Sequence, residues 1–127
     1  MYNRNHIQEQ KLSYQQSLAN QLVTAVIILN NSLKIVYLNP AAEALLNKSI
    51  YRLYGVAADK IFADTSISNI RLEQLIETGQ EFTDSDIIIE LNENHRFTAE
   101  VTASSVEIIK SPHVLLEVKQ IDHQKQI

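Results

Sequence analysis

The chain of 127 residues has no cysteine, two glycines, two prolines and no long apolar run. Without cysteine there is no disulfide framework, no thiolate nucleophile, no cysteine-ligated zinc and no iron–sulfur cluster. With Gly55 and Gly79 as its two glycines, it offers no glycine-rich loop to cradle a phosphate. No stretch approaches the roughly 18 consecutive apolar residues of a membrane span. The opening MYNRNHIQEQKLSYQQSLANQ is too polar for a secretory signal, so a cytoplasmic protein without membrane contact is expected. A net charge of −4 lacks the basic footprint of a nucleic-acid binder, and no direct nucleic-acid partner is expected.

What is present is an ordinary globular composition, 45% hydrophobic and 20% charged, with the aliphatic residues spread along the chain. That length is enough to bury a core, and one folded domain is expected. Residues 8–22 place Leu12, Tyr14, Leu18 and Leu22 among polar residues with no Gly or Pro, the pattern of an amphipathic helix. From Thr24 the texture turns β-branched: TAVIILN, a turn at NS, then LKIVYLN predict a strand, a tight turn and a strand. Pro40 cannot continue a central strand but suits the first turn of a helix, with Asn39 as N-cap and AAEALLNKS as helix formers ending near Ser49.

Beyond this join, IYRLYGVAADKIFAD predicts short helical turns broken at Gly55. SISNIRLEQLIETG sets Ile67, Ile70, Leu72, Leu75 and Ile76 around a longer helix that stops at Gly79. Three strands are predicted at 86–92, 96–108 and 113–122, with turns at ENH and KSP. If ENH is the hairpin turn, Leu91, Ile89 and Ile87 fall opposite Phe97, Ala99 and Val101 and make one face apolar, while Glu90 meets Thr98 on the other. Ile88, Leu115 and Ile121 then point outward, and strand 24–30 is apolar on both faces, so the outer face needs cover. The helix in 1–22 is the nearest candidate, and two copies sharing the task would make a homodimer through Leu12, Leu18, Leu22, Ile88, Leu115 and Ile121.

Catalysis finds little support. Glu90, Glu93 and Glu100 crowd one hairpin, but alternation sends them to a solvated face or the turn. No serine sits in a Gly-flanked elbow and there is no HExxH. His6, His95, His113 and His123 fall in tails and turns, as solvated polar residues do.

The order helix, two strands, several short helices, three strands, with Asn39-Pro40-Ala41 at the passage from second strand to helix, resembles the PAS domain. The resemblance implies an α+β fold with a five-stranded antiparallel sheet and short helices on one face. The segment AVIILNNSLKIVYLNPAAEALLNKS followed by LYG is similar to the opening of the nitrogen-regulation sensor kinases, over residues 15–122. Many PAS domains have Asp where Asn30-Asn31 stands; Asn serves a turn as well. Three regions are then expected: 1–22 as helix and dimerisation element, 23–122 as PAS domain, 123–127 as a tail toward a transmitter domain. A phosphoacceptor histidine in an HE setting and the ATP-binding boxes of such a kinase are not in these residues. The resemblance implies a full-length histidine kinase/phosphatase that passes phosphate to an NtrC-type response regulator under control of a PII-type protein. It implies no flavin photoadduct, which needs a cysteine, and no haem, whose histidine would sit on helix 66–79; no metal is expected either. Tyr37, Tyr51, Arg52 and Tyr54 are candidates for the rim of a cavity between helices and sheet. A metabolite-binding sensor and the PAS domain of a transcriptional regulator stand as the alternative readings.

Overall fold

The computed structural model describes residues 24–62 and 67–121. The helix expected before residue 23, with Leu12, Leu18 and Leu22, and the tail after residue 122 lie outside these. Five strands form one antiparallel sheet: β1 (Ala25–Leu29), β2 (Ile35–Leu38), β3 (Phe82–Asn92), β4 (His95–Ile108) and β5 (Ser111–Gln120), in the order β2-β1-β5-β4-β3. Between β2 and β3 lie α1 (Pro40–Leu46), α2 (Ile50–Leu53), a 3₁₀ turn (Ala58–Lys60) and α3 (Asn69–Thr78).

The alternation seen in the sequence sorts the sheet into two faces. Ile27 and Leu29 of β1, Val101 of β4, and Val114 and Leu116 of β5 are fully buried under Ala42 and Leu46 of α1 and Leu72 and Leu75 of α3. Each such aliphatic side chain contributes about 1.5–3 kcal/mol by leaving water. Among the described residues every buried side chain is apolar. Helix α3 starts at Ser68, whose hydroxyl accepts from the Arg71 N–H at 3.2 Å, and stops at Gly79 with φ +72°. The left-handed region is open to glycine without penalty, which suits that stop.

The first turn follows the expected chemistry, since Asn30 Oδ1 accepts from the Ser32 and Lys34 N–H groups at 3.0 and 3.1 Å. The second half departs from the expected register. Asn92 pairs with His95 around Glu93–Asn94, and Leu91 is extra in a bulge, so Ile89 faces Phe97, Ile87 faces Ala99, and Ile88 rather than Glu90 faces Thr98. The error is two residues, the side-chain period, so every residue keeps its face. Glu90 instead faces Arg96 and pairs with it at 3.2 Å. Strand β3 begins four residues earlier than the 86–92 expected and carries a second bulge at Ser85–Asp86. The turn expected at KSP falls at Ile109–Lys110 instead, with Ser111 and Pro112 inside β5. Pro112 is tolerated there because β1 reaches only as far as Val114, so its missing N–H faces no neighbouring strand.

Candidate functional site

Two features stand out: the junction at Asn39 and the outer face of the sheet. The ladder Ile28–Tyr37, Ile27–Leu38 sets Val26 opposite Asn39. In a hydrogen-bonded antiparallel pair the two residues exchange both N–H···O bonds. Asn39 gives its N–H to the Val26 carbonyl at 3.1 Å, but its own carbonyl is taken by the Glu43 N–H at 3.0 Å, the first bond of α1. The side chain supplies the missing acceptor: Oδ1 accepts from the Val26 N–H at 2.9 Å and from the Ala42 N–H at 2.8 Å. Nδ2 donates to the Thr24 carbonyl at 3.4 Å. A strand can thus end and a helix begin at one residue, and Pro40 at the first helical position loses no bond by lacking an N–H. Ala41 packs half-buried against the core, and Gly55, at φ +81°, gives its N–H to the Ile35 carbonyl at 2.7 Å.

On the outer face Val26, Ile28, Leu115, Ile88 and Ile121 are all half-buried. Leu115 lies between Ile28 of β1 and Ser104 of β4. Ile121 gives its N–H to the carbonyl of Thr98, the residue opposite Ile88, so these two flank one position. Glu117 and Lys119 separate Leu115 from Ile121 along β5. The expected outward residues therefore form two apolar groups divided by a charged band.

Tyr51 and Tyr54 are 93% and 66% exposed on and just after α2, Tyr37 is 44% exposed on the edge strand β2, and Arg52 is exposed beside them. None of them lines the open depression of about 400 Å³ between α3 and β3, which is bounded by Arg71, Gln74, Leu75, Glu77, Thr78, Gln80, Glu81 and Phe82. Sequence reasoning missed the cluster beside that depression. Arg71 stacks 3.7 Å above the Phe82 ring and pairs with Asp84, which ties α3 to the first residues of β3. The signal was faint: a lone Arg on a helix and an Asp thirteen residues on.

His95 and His113 are half-buried rather than solvated. His95 donates from Nε2 to the Leu45 carbonyl at 3.0 Å and meets Phe97 edge-on, joining the β3–β4 turn to the end of α1. His113 donates from Nδ1 to the Ser111 carbonyl at 2.9 Å. Glu100 accepts from the Ser85 hydroxyl at 3.4 Å, and Glu93 stands in the turn. Among the described residues no three His, Asp or Glu side chains gather to hold a metal, and no helix is long and apolar enough to cross a membrane.

The profile of the PAS fold family matches residues 14–121. The sensory histidine kinase/phosphatase NtrB of Vibrio alginolyticus is 32% identical over 111 residues, 87% of this chain and 31% of that protein. The NtrB of Escherichia coli O157:H7 is 24% identical over 108 residues, 85% of this chain and 30% of that one. This chain thus spans under a third of the curated relatives it matches. The crystal structure of the PAS domain of nitrogen regulation protein NR(II) from Vibrio parahaemolyticus aligns with a TM-score of 0.67 at 29% identity, covering 84% of this chain and 96% of that one. The five-stranded antiparallel sheet, the Asn39-Pro40-Ala41 join and the family match over most of its length together show that this chain belongs to the PAS fold family.

Proposed function

We propose that this chain is the signal-relay PAS module of a cytoplasmic two-component sensor histidine kinase/phosphatase controlling nitrogen-regulated transcription. The observation that carries the reading is the similarity to NtrB along 87% of the chain. The module performs no chemistry of its own and holds no resident haem, flavin or metal; it works by association and conformational relay. In the whole protein the phosphate passes from a histidine to an NtrC-type response regulator, with a PII-type protein setting the balance of kinase and phosphatase.

The module acts as a homodimer built on residues 1–22 and the outer sheet face. What supports this is the division of the sheet: its inner face is buried beneath the helical segment between β2 and β3, whereas Val26, Ile28, Leu115, Ile88 and Ile121 present apolar surface on the other side. Sedimentation of the 127-residue chain tests it. A dimer at micromolar concentration that Leu18→Glu with Leu22→Glu converts to monomer, with the far-ultraviolet β signal kept, is the expected result. A parent chain that sediments as a monomer at high micromolar concentration rules out the dimer.

A further inference from the structure

We propose that Asn39 is the positioning residue that couples the segment arriving at Thr24 to helix α1. The inference rests on the reading of the chain as a relay module and names the residue that does the relaying. Thr24 immediately precedes β1, and its carbonyl accepts a long bond from Asn39 Nδ2 at 3.4 Å. Two residues on, Val26 is gripped at both its carbonyl and its N–H by Asn39. The same oxygen that takes the Val26 N–H also takes the Ala42 N–H in the first turn of α1.

One planar amide thus holds the first strand and the first helix at the same time. The contact bypasses the aliphatic core, because Val26 lies on the outer side of β1 while Ala42 is buried on the inner side. A displacement of Thr24–Val26 must therefore carry the shared acceptor with it, or release the Ala42 N–H. Close packing makes such a junction a choice between arrangements and not a soft spring.

The identity of the side chain supports the assignment. Ser, Thr and Asp cap a helix start about as well as Asn. Aspartate can accept both N–H bonds but has no donor, and Ser and Thr carry donor and acceptors on one oxygen close to the backbone, whereas the carboxamide separates a carbonyl oxygen with two lone pairs from an NH₂. Here all three capacities are used, on three backbone groups from two elements. A plain cap would need only one.

The test uses the full 127-residue chain, with nitrogen-15 amide spectra recorded for the parent and for Val23→Gly. That substitution loosens the backbone next to Thr24 and leaves Leu12, Leu18 and Leu22 in place, so its outcome does not depend on dimerisation. In the Asn39 background, the amides of Val26, Ala42 and Glu43 should all shift. In the Asn39→Gly background, which keeps a tolerated helix start without the side chain, Val26 should still respond while Ala42 and Glu43 stay within a line width. Persistence of the α1 response without the Asn39 side chain overturns the proposal, as does its absence in the parent. Should Asn39→Gly not fold, amide exchange in the Asn39 background decides: Val23→Gly should speed exchange at Val26 and Ala42 by factors agreeing within about twofold, because both lean on one acceptor. Unrelated factors at the two amides overturn it equally.

Discussion

Replacing Asn39 with alanine leaves the backbone bonds of the junction in place and removes every side-chain bond. Loss of the N-cap contact to Ala42 costs about 1 kcal/mol. The Val26 N–H, at a half-buried strand position, loses its acceptor as well, for a further cost of about 1–2 kcal/mol. The Nδ2 contact to Thr24, at 3.4 Å, is long and adds little. The total is about 2–3 kcal/mol, where a cap acting alone would give about 1. For a domain of this size each kcal/mol lowers the melting temperature by about 3–5 °C, so Asn39→Ala should melt about 6–15 °C below the parent. Asn39→Gly should cost less, since glycine starts a helix almost as well, yet it still strands Val26. Asn39→Asp keeps both acceptor bonds and should cost least. Thermal melts followed by circular dichroism give this order directly. An Asn39→Ala chain that melts within about 2 °C of the parent, or a glycine variant as stable as the aspartate one, refutes the double role.

Three further outcomes are expected. Pro40→Ala should cost less than Asn39→Ala, at about 0.5–1 kcal/mol, because Pro40 contributes through a pre-set φ and not through a bond; equal costs in thermal melts would count against this. Ile109 and Lys110 hold φ of +50° and +60° at the β4–β5 turn, where Ile109 is 94% exposed and packs against nothing. Ile109→Asn with Lys110→Gly should therefore raise stability by about 1–2 kcal/mol, and a melting temperature that stays the same or falls removes the strain argument. Arg71→Ala and Asp84→Ala should each cost about 1 kcal/mol with a coupling of about 0.5–1 in a double-mutant cycle, and Arg71→Lys should not restore it, since lysine lacks the planar fork that pairs and stacks; simple additivity would show the pair to be idle.

The parts of this fold that the sequence revealed are those written in local chemistry. Asn39-Pro40 marks the start of α1, Gly79 the end of α3, and the alternation of Ile87, Ile89, Ala99 and Val101 the buried face, each within a few residues of its cause. The misplaced features depend on partners far along the chain. The pairing of β3 with β4 slipped by two because a bulge at Leu91 leaves the facing pattern unchanged. The first residues of β3, FTDSD, carry too many polar side chains to resemble a strand, and they are tolerated because sheet order puts β3 at an edge where Arg71 meets Asp84. The turn at Ile109–Lys110 has neither Gly nor Asn to announce it. At the candidate site the cap on Asn39 was legible, whereas its second bond to Val26 was hidden until the strand register was known.

The proposal that these residues are the relay module of a longer histidine kinase is tested most directly on the full-length protein incubated with ATP and magnesium, with acid-labile phosphate mapped by mass spectrometry at neutral pH. The expected result is phosphate on a histidine beyond residue 127, formed at a rate that Leu18→Glu with Leu22→Glu changes while nucleotide binding stays intact. Phosphate on His6, His95, His113 or His123, or a rate indifferent to those substitutions, would contradict it.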